Sequence, residues 1–224
     1  IHRGLMDKFI DRKAAGISLA GLLKEYANLS NAIVLALPRG GVPVAYELAM
    51  ALSIPLDVFI VRKLGVPGYE ELAMGALAMG GSVIFNAPLI NQLNIDQASI
   101  HAVLESEQKE LERREHLYRG NRPFPELLGK TIILVDDGIA TGSSMYAAVK
   151  ALRKLKPHFI IIAVPVAAQE TCEELTKLVD KIICPLKPTN FHAVGLWYEN
   201  FSQTSDMEVI ALLEKANSTK NVSG

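Results

Sequence analysis

Five short apolar runs, separated largely by helical patterns, constrain this chain more than any other feature. They lie at 32–38 (AIVLALP), 55–65 (PLDVFIVRKLG), 131–136 (TIILVD), 159–165 (FIIIAVP) and 181–184 (KIIC). Between them the spacing of apolar residues predicts helices over 42–52, 143–156 and 169–180. Strand–helix–strand units of this length cross over with a right hand and build a mainly parallel sheet, covered by helices on both faces. Strands buried on both faces read as unbroken runs of Val, Ile and Leu. We therefore expect a doubly wound α/β fold over 1–224 as one domain. In such sheets a ligand sits beyond the carboxyl ends of the strands. Three segments that follow the runs depart from plain loops: PRGG after the first, RKLG at the end of the second, and DDGIATGSS after the third. All three expected strand ends lie on one edge of the sheet.

The remaining elements follow from periodicity. Ala15, Leu19, Leu22, Leu23 and Tyr26 share one face of a helix over 12–27. Residues 71–86 read as two extended segments about a Gly80–Gly81 turn, a hairpin. Over 95–119, Ile100, Val103, Leu104, Leu111 and Tyr118 form a narrow stripe among dense charges, a long and partly solvated helix. Residues 120–129 read as a loop, 188–204 as irregular, and 205–216 as a final helix. We expect the helix-rich segment 87–128 to be an insertion forming part of a hood over the strand ends. The N-terminal helix or the C-terminal end would complete that hood.

Composition narrows the function classes. Half of the 224 residues are hydrophobic and the formal net charge is −1, unlike the basic excess of a dedicated nucleic-acid binder. The two cysteines, Cys172 and Cys184, belong to no CxxC pair, which argues against zinc and for a reducing, cytoplasmic compartment. No apolar run approaches the ~20 residues that span a bilayer. GxxxxGK[ST], Rossmann and GxSxG patterns are all missing.

The stretch TIILVDDGIATGSS (131–144) then raises the chemical question. Two adjacent carboxylates repel, and glycine weakens any regular element it joins. A ligand would compensate for both. Gly138 and Gly142 permit a tight turn, while Thr141, Ser143 and Ser144 offer hydroxyls. A helix starting near Ser143 points unpaired amides and its positive dipole end into the same space, an anion cup sized for one phosphate. Asp136 and Asp137, one step earlier, suit the vicinal hydroxyls of a sugar, or a hydrated Mg²⁺ that those hydroxyls ligate. Phosphate cup and diol acceptors together describe a ribose 5-phosphate site. Taken singly, DDG is more often a capped turn and TGSS a helix N-cap. Their fusion behind an apolar strand favours function.

On these residues the chain resembles the type I phosphoribosyltransferases. ILVDDGIATGSS is similar to their phosphoribosyl-diphosphate signature, LALPRGGVPVA (35–45) to their diphosphate loop, and VRKLGVPGYEE (61–71) to the start of their flexible catalytic loop. RGGVP, VRKLG, LYRG, VDDGIATG and VGLWYENFSQTSDMEV resemble, over nearly the full length, a bacterial group assigned to this family without a stated substrate.

The resemblance implies a cytoplasmic, Mg²⁺-dependent pentosyltransferase of nucleotide salvage. It would move ribose 5-phosphate from phosphoribosyl diphosphate (PRPP) to a nitrogenous base and release diphosphate. Asp136 and Asp137 would meet the ribose hydroxyls, directly or through Mg²⁺. Gly138, Ile139, Ala140, Thr141, Gly142, Ser143 and Ser144 would hold the 5′-phosphate, and Arg39, Gly40 and Gly41 the diphosphate. Arg62 and Lys63 would add positive charge, with the 66–80 loop closing over the site. His192, Trp197 and Tyr198 are weak candidates for the base. The family's 6-oxopurine members carry an acid where this chain has Ala140, which counts against such a base. Many relatives are dimers, so a homodimer is a further expectation. Two alternatives stay open at this point: a PRPP-sensing regulator that binds nucleic acid, and a sugar-phosphate hydrolase.

Overall fold

The computed structural model describes residues 8–220. Its central layer is a five-stranded sheet of β1 (Ala32–Ala36), β2 (Leu56–Val58), β6 (Thr131–Val135), β7 (Phe159–Ala163) and β8 (Lys181–Ile183). The order is β2-β1-β6-β7-β8, and every pair is parallel. All five residues of β1 are buried, as are four of the five in β6 and in β7, the pattern expected of strands covered on both faces.

From β1 the chain passes through α2 (Gly41–Leu52) to β2 on one side. From β6 it passes through α5 (Ser143–Lys154) to β7 on the other. Right-handed crossovers in opposite directions place α2 and α5 on opposite faces of the sheet. Accordingly α2 packs on α1 (Arg12–Ala20) and α7 (Asp206–Lys220), and α5 packs on a second, antiparallel sheet. α6 (Gln169–Thr176) leads into β8 and packs on it. The strand order reverses between β1 and β6, which opens a crevice at their carboxyl ends.

The second sheet has the order β3-β4-β5, from β3 (Val61–Val66), β4 (Tyr69–Ala78) and β5 (Val83–Phe85). Here the sequence-based expectations need two corrections. Residues 55–65 form not one strand but two, because β1 ends at Ala36, opposite Val58, and leaves the continuing chain no parallel neighbour. After Phe59 and Ile60 the chain pairs with β4 instead, Val61 opposite Ala78 and Lys63 opposite Ala76. The supposed 66–80 loop is therefore mostly strand, turning at Gly68 with φ +82°. The hairpin about Gly80–Gly81 is present, with Ala76 opposite Ile84.

The first helix ends at Ala20, seven residues early, and a 3-10 turn over Lys24–Tyr26 follows. The other helices match within a few residues, among them α4 (Gln97–Arg119) after the short α3 (Ala87–Gln92). Asp96 caps α4 by accepting the Ser99 N–H at 2.7 Å. α4 packs against β3, β4 and α7. Its last residue anchors it: buried Arg119 donates Nε and Nη2 to the two carboxylate oxygens of Asp57 on β2, at 2.9 and 3.1 Å. Two backbone carbonyls, of Arg122 and Pro123, take further Arg119 donors. Among the described residues no helix is long and apolar enough to cross a membrane.

Candidate active site

The crevice between β1 and β6 is lined by the turns that follow those strands, and the two turns touch. A Cβ built on Gly40 would lie 2.1 Å from Asp137 Oδ2, and one on Gly41 would lie 2.8 Å from the Val135 carbonyl and 3.3 Å from Asp136 Oδ1. At Gly41 a side chain would meet backbone, and at Gly40 it would displace the Asp137 carboxylate, so glycine is what lets the 39–41 turn lie against both aspartates as they stand.

The two aspartates have different surroundings. Asp137 N–H donates to Asp136 Oδ1 at 2.8 Å. Burial first, and the neighbouring Asp137 charge second, push the Asp136 carboxyl well above the usual carboxylate range. Asp137 instead has a cation: Arg12 Nε donates to its Oδ2 at 3.0 Å, with both side chains nearly buried. The Arg12 guanidinium lies 4.0 Å over the Phe201 ring and donates through Nη1 to the Ser202 carbonyl at 2.5 Å. Tyr198 donates its hydroxyl to the Asp137 carbonyl at 2.6 Å. Burial, then the nearby Asp137 charge, raise the Tyr198 phenol, which keeps it a donor.

The cup follows at once. Ile139 N–H donates to the Val166 carbonyl and Ala168 N–H to the Ile139 carbonyl, both at 3.0 Å, so the turn is clamped to the segment after β7. Thr171, on α6, donates its hydroxyl to the Ala140 carbonyl at 2.7 Å. Gly142, at φ +80°, sits at the N-cap of α5 without a side-chain cap, leaving first-turn amides facing outward beside exposed Thr141, Ser143 and Ser144. A cavity of about 240 Å³ is bounded by 138–145 with Asp136, Lys63 and Val194.

Asp136, Asp137, Gly40, Gly41, Lys63 and 138–144 thus come together. Arg39 stands at the crevice edge, half-buried, with Nη1 3.9 Å from Asp206 of α7. Arg62 does not join them. On a strand adjacent side chains point to opposite faces, so Lys63 faces the cup while Arg62 Nε donates to Glu107 of α4 at 2.8 Å. Two of the base candidates, Trp197 and Tyr198, belong to a small satellite core. The Tyr198 ring lies 5.8 Å from Phe9 and 5.0 Å from Phe201, and Trp197 stacks near Phe191 while donating Nε1 to its carbonyl at 3.0 Å. His192 is exposed at φ 59°.

Sequence reasoning missed Arg12 and Thr171. A signal existed for the first: Arg12 and Lys13 open a helix, where cations oppose the macrodipole, so a nearby anion was to be expected. Nothing local marked Thr171. Among the described residues no group of three or more His, Cys, Asp or Glu could hold a metal by itself. Two carboxylates remain. That donor set fits Mg²⁺, which is usually held by one or two carboxylates together with substrate oxygens and water.

The chain has relatives among known proteins. Two Mycobacterium tuberculosis relatives, provisionally named as phosphoribosyl transferases, are 41% identical over 212 residues, 95% of this chain but 48% of their own length. The chain therefore spans about half the length of these curated relatives. The crystal structure of TT1426 from Thermus thermophilus shares 38% identity and a TM-score of 0.81, covering 93% of this chain and 98% of that one. The family model of the phosphoribosyl transferase domain matches residues 10–199, from the start of the Arg12 helix to the end of the segment holding Tyr198, and the chain belongs to that family.

Proposed function

We propose that this chain transfers the 5-phosphoribosyl group of PRPP to a nitrogenous base other than a 6-oxopurine and releases diphosphate. The observation that carries this is the contact of two turns at one crevice: Gly40 and Gly41 lie directly against Asp137 and Asp136, with the 138–144 cup beside them. A diphosphate on the first turn and a 5′-phosphate in the cup would leave the ribose diol over the aspartates.

Each residue then has a role set by charge. The α5 amides with Thr141, Ser143 and Ser144 fix the 5′-phosphate. Asp137, held by Arg12, and Asp136 accept from the ribose hydroxyls. The 39–41 backbone and Arg39 receive the diphosphate. When the C1′–O bond breaks, positive charge develops on the ribose and negative charge on the leaving diphosphate. Fixed amide dipoles and cations stabilise the departing negative charge without reorganising. Lys63, facing the cup, contributes a cation, whereas Arg62 serves to hold β3 on α4. Asp136 and Asp137 would hold Mg²⁺, which supplies charge neutralisation of the diphosphate. The acceptor attacks the opposite face of C1′, aided by proximity.

We assign the hood to Phe9 and residues 191–201, which reach Asp137 through Tyr198 and Gly138 through Val194. In this assignment Tyr198 and Trp197 shape the base site from behind, and the exposed His192 is left to meet the base. Ala140, whose carbonyl is bound by Thr171, offers no acid to a 6-oxopurine.

The test incubates the protein with labelled PRPP, Mg²⁺ and a panel of bases. Diphosphate release with one base, lost in Asp136→Asn/Asp137→Asn, is the expected result. Release without any acceptor marks a hydrolase. Absence of Mg²⁺-dependent PRPP binding, or equal binding by the double variant, overturns the proposal.

A further inference from the structure

The phosphate cup adjoins a larger cleft. Lys63, Thr141, Gly142 and Ser143 line not only the 240 Å³ cup but also a second cavity of about 710 Å³. That cleft runs between the β3-β4-β5 sheet and helices α5 and α6. Its size lies in the range that holds a nucleotide-sized ligand, roughly 300–1,000 Å³. Cations stand along the cleft beside the cup. Lys63 lines both cavities. Lys150 and Lys177 line the cleft beyond it, against a single acid, Glu174. Tyr146, with Lys150 Nζ 4.6 Å over its ring, and Phe85 add two half-exposed aromatic rings to walls otherwise of small and aliphatic residues.

We propose that the cup also accepts ribose 5-phosphate esterified through a second phosphate to a nucleoside. In that class of ligand the ribose lies on Asp136 and Asp137 and its 5′-phosphate on 138–144. The second phosphate passes Lys63 toward Lys150 and Lys177, and the distal nucleoside lies in the cleft against the two rings. Rings of this kind stack on any base, and the lysines complement the diphosphate. The proposal rests on the reading of the cup as a ribose 5-phosphate seat and adds that the seat admits substituents on that phosphate. Such a ligand would compete with PRPP, since both fill the same cup.

The experiment compares ribose 5-phosphate with ADP-ribose by calorimetry at fixed Mg²⁺, on the full chain and on Lys150→Glu/Lys177→Glu. Both substituted residues are exposed and lie outside the cup, so folding and the binding of ribose 5-phosphate should be unchanged. We expect ADP-ribose to bind the native chain at least tenfold tighter than ribose 5-phosphate, and the charge reversal to remove that advantage. Equal affinities in the native chain, or an advantage that survives the reversal, would overturn the proposal while leaving the ribose 5-phosphate seat intact. Failure of both ligands to bind, with PRPP also unbound, would instead remove the underlying seat, and the proposal with it.

Discussion

Gly40→Ala places one methyl group between the two strand-end turns. The backbone there, φ −61° and ψ −27°, is ordinary right-handed helix, so alanine brings no conformational strain of its own. The whole effect comes from what the methyl meets: Asp137 Oδ2 at 2.1 Å and Cγ at 2.9 Å. Carbon packs comfortably only beyond about 3.5 Å, so the carboxylate must retreat by roughly 1.4 Å. It cannot do so freely, because Arg12 pins it at 3.0 Å and Tyr198 holds its backbone carbonyl. The expected loss is one hydrogen bond from a ribose hydroxyl to a charged acceptor, about 1.5–3 kcal/mol. At about 1.4 kcal/mol per decade this weakens PRPP binding by roughly 10- to 150-fold. Calorimetry with PRPP and Mg²⁺ measures it, with circular dichroism showing an intact fold. Binding within twofold of the native chain would refute the reasoning, for it would mean that Asp137 does not touch the ligand from this position.

Three further outcomes are expected. Asp57→Asn leaves Arg119 as a buried cation without its bidentate partner, and should lower unfolding free energy by about 3–5 kcal/mol in denaturant titration. Thr171→Val deletes the hydroxyl that holds the Ala140 carbonyl. It should weaken PRPP binding by about 2- to 12-fold, the equivalent of one neutral hydrogen bond, while Thr171→Ser restores it. Burial, then the hydrogen bond to Asp206, raise the Tyr118 phenol from 10.0 to about 12. The folded state thus keeps a proton that the unfolded chain releases. The stabilisation is whole below pH 10 and lost as pH rises toward 12, so melting points in that window should fall less steeply in Tyr118→Phe.

The elements legible in the sequence were those whose evidence is local. The unbroken runs in β1, β6 and β7 needed only their own side chains to be recognised, and the Gly142 turn with its flanking hydroxyls declared a helix start within a few residues. The path of 55–65 was not legible, because where a strand stops depends on where its neighbour stops, and β1 lies some twenty residues earlier. For the same reason Arg62 and Lys63 looked equivalent in the sequence. Once they belong to a strand they must face opposite ways, one to Glu107 and one to the cup.

By itself, then, the sequence determined a parallel sheet, two acids at the end of one strand, and a glycine- and hydroxyl-rich turn after them, since hydrophobic periodicity and turn chemistry act over a few residues. Only the tertiary structure decided that Gly40 abuts Asp137, that Arg12 pairs with an aspartate 125 positions away, and that Thr171 and Tyr198 brace the same turn from opposite elements. Those contacts are made by strand order and crossover hand, which no single stretch of residues carries.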